Sequence, residues 1–405
     1  MNILVFTSLF PNNQSPNDGI FTQQRLQYAM VRHGWNVKVV APVPFYPPGL
    51  GGWRAKYRKV VSHEMREGME VWHPRYVMIP KIGMVLQGLF LFLSVCWRVR
   101  VLQRAFPFDL IDAHYVYPDG FAAILLSWVT RVPVVVSVLG SDVNLFKDIP
   151  IIRQLIAWTL RKADSIISVS EALKQVSMGL GVAEKKIRVI PNGVDPQKFF
   201  YIPQEEARKK IGFIGKGQTL VLAVCHLTAN KGLDVLLEAL ALLTKKTPTF
   251  NWLLYIVGVG VERARLERLT QTLHLESRVT FCGAVSHDQL VWFYNSADVF
   301  CLLSEREGCP NVVLESLACG TPVLATSVGG IPEILTSSNV GILVERKPEQ
   351  VAKALSASFE CSWSKSEILN HGQKFQLSHT ADALREVFQS VLPNQEKAKG
   401  TPFPS

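Results

Sequence analysis

The sequence predicts an α/β protein built from two doubly wound parallel-sheet domains, and three observations carry that prediction. Short apolar runs of strand length alternate with longer helical patterns through most of the 405 residues, the signature of successive βα units. The alternation is broken by the proline-, glycine- and charge-rich stretch PNGVDPQKFFYIPQEEARKKIGFIGKGQ, residues 191–218. The chain is also too long for one ordinary core, since domains usually hold about 150 residues. The domains are therefore placed at 1–195 and 196–392, the last helical pattern (about 380–391) being open to packing back on the first domain. PNQEKAKGTPFPS, from 393, reads as a flexible tail.

MNILVFTSLF lacks the basic leader and small-residue cleavage site of a signal peptide, and Pro11 ends it after one strand's length. It is the first buried strand, 2–8. Strands follow at 35–41, 109–113, 133–139, 164–169 and 186–190, with helices near 20–33, 82–105, 117–130 and 150–162. The longest apolar stretch, Ile82 to Trp97, contains Gln87 and Gly88 and stops at Arg98, short of the roughly 20 residues a spanning helix needs. It reads as a core helix, with contact to a membrane surface as the alternative should one face be exposed. The second series has strands near 219–224, 252–257, 278–281, 298–303 and 321–325, and helices near 231–246, 261–274, 286–295 and 311–318.

With 48% apolar and 19% charged residues, fibrous and disordered classes are excluded. The seven cysteines (96, 225, 282, 301, 309, 319 and 361) never fall in a Cys-x-x-Cys pair, which points to a reducing cytoplasm without structural zinc. Of the net charge of +10, nearly all lies in the first half: 1–195 holds 22 Lys/Arg against 13 Asp/Glu, and 196–405 holds 21 against 20. Such a field attracts nucleic acid, an anionic membrane or phosphorylated substrates. Trp53, Arg54, Lys56, Tyr57, Arg58 and Lys59 interleave basic and aromatic groups after the loop PFYPPGLGG. That cluster suits an anionic membrane surface, a solvated loop being the alternative.

In open parallel sheets ligands bind beyond the carboxyl ends of the strands, where loops and helix N-termini converge. Those positions carry Gly19, His114, Ser141 with Asp142, and Ser170 with Glu171 in the first half. In the second they carry His226, Lys231, Gly258, Gly260, and Glu307 with Gly308. The densest segment is SEREGCPNVVLESLACGTPVLAT, 304–326. Pro310 suits the first turn of a helix and Gly320 its end, so Glu307 precedes the helix and Glu315 lies within it, where the two carboxylates can face one site from different heights. Glu307 could instead be a simple helix cap. Glu315, in a mostly apolar helix, must find a polar partner.

These residues carry a resemblance. Glu307 and Glu315 in EGCPNVVLE resemble the paired-glutamate motif of glycosyltransferase family 4, and ACGTPVLATSVGGIPE (318–333), IPNGVD (190–195) and NKGLDVLLEAL (230–240) are similar to the family's other segments. The resemblance covers nearly the whole chain and implies a GT-B fold: two Rossmann-like domains with an interdomain cleft. It implies that Glu307 contacts the donor sugar, Glu315 the ribose, and Lys231 the leaving diphosphate. Gly308, Cys309, Pro310 and Asn311 complete that loop, while Gly258 and Gly260 line the donor side. From the first domain, His114 would lie beside the donor sugar, Gly19 would admit the diphosphate, and Ser141 and Asp142 would form the corresponding loop, Asp142 either orienting His114 or capping the next segment. Where the family carries an arginine this chain has His226, in AVCHLTANKG. A histidine supplies a hydrogen bond but no permanent charge near neutral pH.

The reading that follows is a retaining glycosyltransferase with catalytic residues Glu307, His114 and Lys231, using a nucleotide sugar, UDP-linked as the commonest case. No cofactor is expected, and no metal, because the chain has no Asp-x-Asp to hold one. Its acceptor would be a saccharide or lipid-linked saccharide in polysaccharide, lipopolysaccharide or cell-wall polymer assembly. The expected location is the cytoplasm, peripheral on the inner membrane face, with no nucleic-acid partner. The rivals are a basic nucleic-acid- or membrane-binding protein on a catalytically silent GT-B scaffold, a nucleotide-sugar hydrolase, and a pyridoxal-phosphate phosphorylase.

Overall fold

In the computed structural model, the residues described are 1–46, 55–78, 82–144, 149–213, 215 and 217–393. The chain forms two compact units. The first comprises Met1–Val169, Leu173–Ile190 and the chain from Thr380 onward; the second comprises Ser170–Ala172 and Pro191–His379. The change of unit thus falls at Ile190/Pro191 rather than at 195, and a second change falls at Thr380.

The first unit holds strands β1 (Asn2–Phe6), β2 (Asn36–Val40), β3 (Val43–Phe45), β4 (His63–Arg66), β5 (Met69–Trp72), β6 (Arg75–Val77), β7 (Leu110–His114), β8 (Val134–Val138), β9 (Ser165–Ser168) and β10 (Ile187–Val189). Eight form one sheet in the order β10-β9-β8-β7-β1-β2-β5-β4, and β3 and β6 pair separately. All pairs are parallel except β4 with β5. Central strands covered on both faces need apolar side chains on both. Accordingly β1 reads NILVF, β8 reads VVVSV, and β8 is buried throughout.

Strands β3 to β6 lie where the sequence predicts none. β4 and β5 form a hairpin through Glu67 and Gly68, both at positive φ (45° and 78°), and β4, HEMR, has no buried residue. It therefore lacks the alternation by which a strand is recognised. Helix Gln87–Ala105 begins five residues after the predicted start, and it is not a core helix on all sides. It buries Gly88, Leu91, Val95 and Val99 and exposes the opposite face.

The final helix, Leu377–Val391, packs Ala381, Leu384, Val387 and Phe388 into the first unit's core with Ile3, Val5 and Leu26. Phe388 lies 5.3 Å from the Trp35 ring, and Arg32 binds both oxygens of Asp382 at 2.7 Å.

The second unit holds β11 (Thr219–Val224), β12 (Trp252–Val257), β13 (Val279–Gly283), β14 (Val299–Leu302), β15 (Val323–Thr326) and β16 (Gly341–Val344). They form one sheet in the order β13-β12-β11-β14-β15-β16, with every pair parallel. Its core joins β11, β12 and β14 to helices Leu233–Lys246 and Pro348–Glu360. Among the described residues no helix is long and apolar enough to cross a membrane.

Candidate active site

In the second unit, the loop after β14 carries Ser304, Glu307 and Gly308 to helix Asn311–Ala318, with Pro310 in its N-cap position. Lys231 ends a single tight turn, Ala229–Lys231, after β11. The next residue, Gly232, lies so close to the end of β14 that a Cβ there would sit 2.1 Å from the Leu303 carbonyl oxygen. That close approach brings Lys231 to Glu307: its Nζ donates to Glu307 Oε1 at 2.6 Å, and Ser304 Oγ donates to the same oxygen at 2.6 Å. Both members of the pair are partly shielded, the Lys231 side chain 21% exposed and that of Glu307 12%. An ammonium has three donors, so Lys231 retains donors for an anion besides the one it gives to Glu307.

Around this pair, Gly308 accepts the Gly330 N–H at 2.9 Å, and the Cys309 carbonyl accepts from Asn192 Nδ2 at 3.0 Å. Burial pushes the Cys309 thiol up to about 12, so it serves as packing and not as a nucleophile. Asn311 Oδ1 is buried and takes no protein hydrogen bond. Gly258, at φ 138°, and Gly260 face the β11 loop so closely that a Cβ on either would fall 1.9 Å from the Cys225 oxygen or 2.2 Å from the Leu227 oxygen. His226, on that same loop, is exposed.

Glu315 occupies a different setting. It is 2% exposed, with Oε2 accepting from the Tyr294 hydroxyl at 2.8 Å and Oε1 lying 3.0 Å from His287 Nε2. Burial, then the neighbouring carboxylate, pushes the Tyr294 phenol well above its ordinary value, so it remains a donor. Phe199 meets the His287 ring edge-on at 5.0 Å. Glu307 and Glu315 thus have separate sets of partners.

In the first unit, Gly19 sits at φ 71°, and a Cβ on it would lie 2.3 Å from the Leu9 oxygen; only glycine fits where the β1 loop meets helix Ile20–His33. His114, at the end of β7, is buried and 2.9 Å from Asp112 Oδ2 through Nε2. Arg25 Nη2 lies 3.1 Å from its Nδ1 and 3.3 Å from its Nε2. Arginine can only donate. The network therefore assigns the proton to Nε2, directed at Asp112, and the lone pair to Nδ1, facing Arg25. Burial pushes the imidazole pKa below its ordinary value, and it also penalises the Asp112 carboxylate, which His114 and Arg25 nevertheless hold below the usual range. Asp112, not Asp142, orients His114. The Asp142 carboxylate instead accepts the backbone N–H groups of Val116 at 3.0 Å and Gly140 at 2.8 Å, so it ties down the chain before it and does not cap the segment that follows. Ser141 Oγ and the Tyr115 hydroxyl are 2.6 Å apart.

Of the basic-aromatic cluster, Trp53 and Arg54 lie outside the described residues. Lys56 donates to Ser15 Oγ at 3.0 Å and Tyr57 packs 5.9 Å from the Tyr46 ring, while Arg58 and Lys59 are exposed. The reading of the sequence singled out neither Ser304, His287 and Tyr294 nor Arg25 and Asp112. Asp112 carried a signal, being two residues before His114 and so on the same face of its strand. His287 and Tyr294 carried none, because their bonds to Glu315 span 28 and 21 residues.

Two doubly wound units, with a lysine–carboxylate pair at the strand ends of one and a buried histidine at those of the other, are the architecture of a GT-B glycosyltransferase. Residues 24–198 match the profile described as Glycosyltransferase Family 4 and residues 204–375 that of glycosyl transferases group 1. The chain belongs to glycosyltransferase family 4. It is similar to a putative teichuronic acid biosynthesis glycosyltransferase of Bacillus subtilis, 27% identical over 96% of this chain and 99% of the relative. An uncharacterized glycosyltransferase of Methanocaldococcus jannaschii is 31% identical over 66% of this chain and 70% of that protein. Among solved structures, sucrose-phosphate synthase from Thermosynechococcus elongatus shares the fold with a TM-score of 0.77 at 20% identity, over 96% of this chain and 98% of the other. Anabaena HepE in complex with UDP-glucose shares it at 0.72 and 18%, over 96% and 99%.

Proposed function

We propose that this glycosyltransferase moves a sugar from a UDP-sugar to a saccharide or lipid-linked saccharide in cell-envelope polysaccharide assembly, with retention of anomeric configuration and without a metal. The observation that carries the reading is the Lys231–Glu307–Ser304 constellation, with Nζ and Oγ both 2.6 Å from one carboxylate oxygen. Lys231 would neutralise the diphosphate, a fixed charge where leaving-group charge develops, and Glu307 would accept hydrogen bonds from the donor sugar. The sugar's C1–O bond to phosphate breaks as the acceptor oxygen bonds to C1 on the same face. The acceptor's proton passes to the departing phosphate oxygen, leaving UDP. The buried His114, both of whose nitrogens have partners, would act as a neutral shaping group beside the sugar and not as a general base.

The UDP assignment is supported by the complex of Anabaena HepE, and the class of acceptor by the Bacillus subtilis relative's name. A basic first half supports work at the cytoplasmic face of an anionic membrane. Release of nucleoside diphosphate with and without saccharide acceptors, in the presence of EDTA, tests transfer and metal independence, and NMR of the product's anomeric proton tests retention. Expected are acceptor-dependent release that EDTA leaves intact, and a product with the donor's configuration. An inverted linkage would remove the same-face mechanism, and equal release without acceptor would make the protein a hydrolase.

A further inference from the structure

Among the described residues, one face of helix Gln87–Ala105 has no covering element. Leu89, Leu93, Trp97 and Val101 recur every fourth residue and are all exposed, Leu93 by 62% and Trp97 by 74%. Residues four apart share a helix face, so they form one stripe, about 18 Å long at 1.5 Å per residue. The helix cannot rotate to hide it, because Leu91, Val95 and Val99 anchor the opposite face in the unit's interior.

The stripe ends in charge. Arg100 and Arg104 follow Trp97 at steps of three and four residues and so continue the same face, and Arg98 stands beside it. All three are exposed, and among the described residues none has a carboxylate partner within ion-pair distance. A contiguous apolar surface on a soluble domain marks a contact site, and its chemistry here narrows the occupant. A second copy of this chain would bring its own basic half, positive against positive. An anionic bilayer matches both features: Trp and Leu enter the headgroup boundary while the guanidinium groups meet lipid phosphates.

We propose that this helix face is the surface on which the protein docks to an anionic membrane, lying in the interface and not crossing it. The assignment rests on the reading that the enzyme works on a lipid-linked acceptor. It transfers the membrane contact expected at residues 53–59 to a helix whose exposed face the structure describes.

The test is sedimentation of the full-length protein with phosphatidylcholine vesicles, with and without phosphatidylglycerol. Wild type is compared with Leu93→Ser/Trp97→Ser and with Arg98→Ser/Arg100→Ser/Arg104→Ser. Each basic residue near an anionic surface contributes about fivefold in partitioning, so the triple variant should bind roughly 100-fold more weakly. The apolar variant should lose binding to both vesicle types. UDP release with a water-soluble saccharide acceptor should be unchanged in both, since all five side chains are solvent-facing on this helix. Wild-type-like binding by either variant overturns the assignment. So does a wild-type dimer in sedimentation velocity that Leu93→Ser/Trp97→Ser makes monomeric, which would give the stripe to a second copy. Absent UDP release in every form would instead defeat the glycosyl-transfer reading, whatever the vesicles show.

Discussion

Lys231 and Glu307 are paired across 2.6 Å, so each substitution does more than delete one group. Glu307→Gln keeps an oxygen for Ser304 and Lys231 but removes the charge. Transfer should fall by about 100-fold or more, the scale for losing one aimed electrostatic group, with the circular dichroism spectrum unchanged. Under the proposed roles, Lys231→Ala leaves an unneutralised carboxylate facing the donor's diphosphate, so its donor KM should rise more than that of Glu307→Gln; equal KM values for the two would mean Lys231 does not meet the diphosphate. Asp119 supplies a different test. Its buried carboxyl accepts the Ser8 N–H at 2.5 Å and the Ser8 hydroxyl at 2.9 Å, and burial raises its pKa from 3.8 to about 7. Because the folded value lies above the unfolded one, the unfolded chain releases this proton first as pH rises. Stability is therefore lost between about pH 4 and 7 and levels off above. Asp119→Asn can keep both Ser8 contacts without ionising. Its stability advantage should grow from pH 4 to 7, reaching a few kcal/mol at about 1.4 kcal/mol per pH unit, as read from urea melts. An advantage flat with pH would place the Asp119 titration elsewhere.

At the scale of elements, the parallel strands at the centre of both sheets were legible because two-sided burial forces runs that are mostly apolar: β1, β8, β11 and β14 all show them. β4 and β16 were not. Both are edge strands of four residues, with one neighbour each and little to bury. The site follows the same division. Glu307, Lys231 and the loop glycines announce themselves by motif, whereas the partners of Glu315 and the Arg25–His114–Asp112 network exist only once separate elements are packed. Gly258 shows how strand ends are brought together. Its φ of 138° and the 1.9 Å separation of a built Cβ from the Cys225 oxygen mean that alanine must push the β12 loop away from the loop bearing His226 and Lys231. Gly68, at φ 78° with open space around it, is the control for backbone conformation alone. Gly68→Ala should cost about 1–3 kcal/mol of strain and no more. Gly258→Ala should cost more than its control and also weaken UDP binding measured by calorimetry; unchanged UDP affinity would show that the loop contact does not shape the donor site.

At the scale of the whole molecule, chain order and structural membership part company. Residues from Thr380 on are the last in sequence yet belong to the first unit, where Phe388 is fully buried beside Trp35 and the β1 core. The second unit, complete between Pro191 and His379 apart from Ser170–Ala172, carries the Lys231–Glu307 pair. A ligand of that pair stabilises the unit that binds it by RT ln(1 + [L]/Kd), about 2.7 kcal/mol at a hundredfold excess over Kd. A core substitution of Phe388→Ala costs about 3–5 kcal/mol in the unit that buries it. The two perturbations should therefore separate in scanning calorimetry of the full chain. Phe388→Ala lowers the transition of the first unit, and saturating UDP raises that of the second by the same increment in parent and variant. If the Phe388→Ala loss falls instead on the UDP-stabilised transition, the final helix owes its stability to the second unit, and the assignment of the chain's last segment to the first core is wrong.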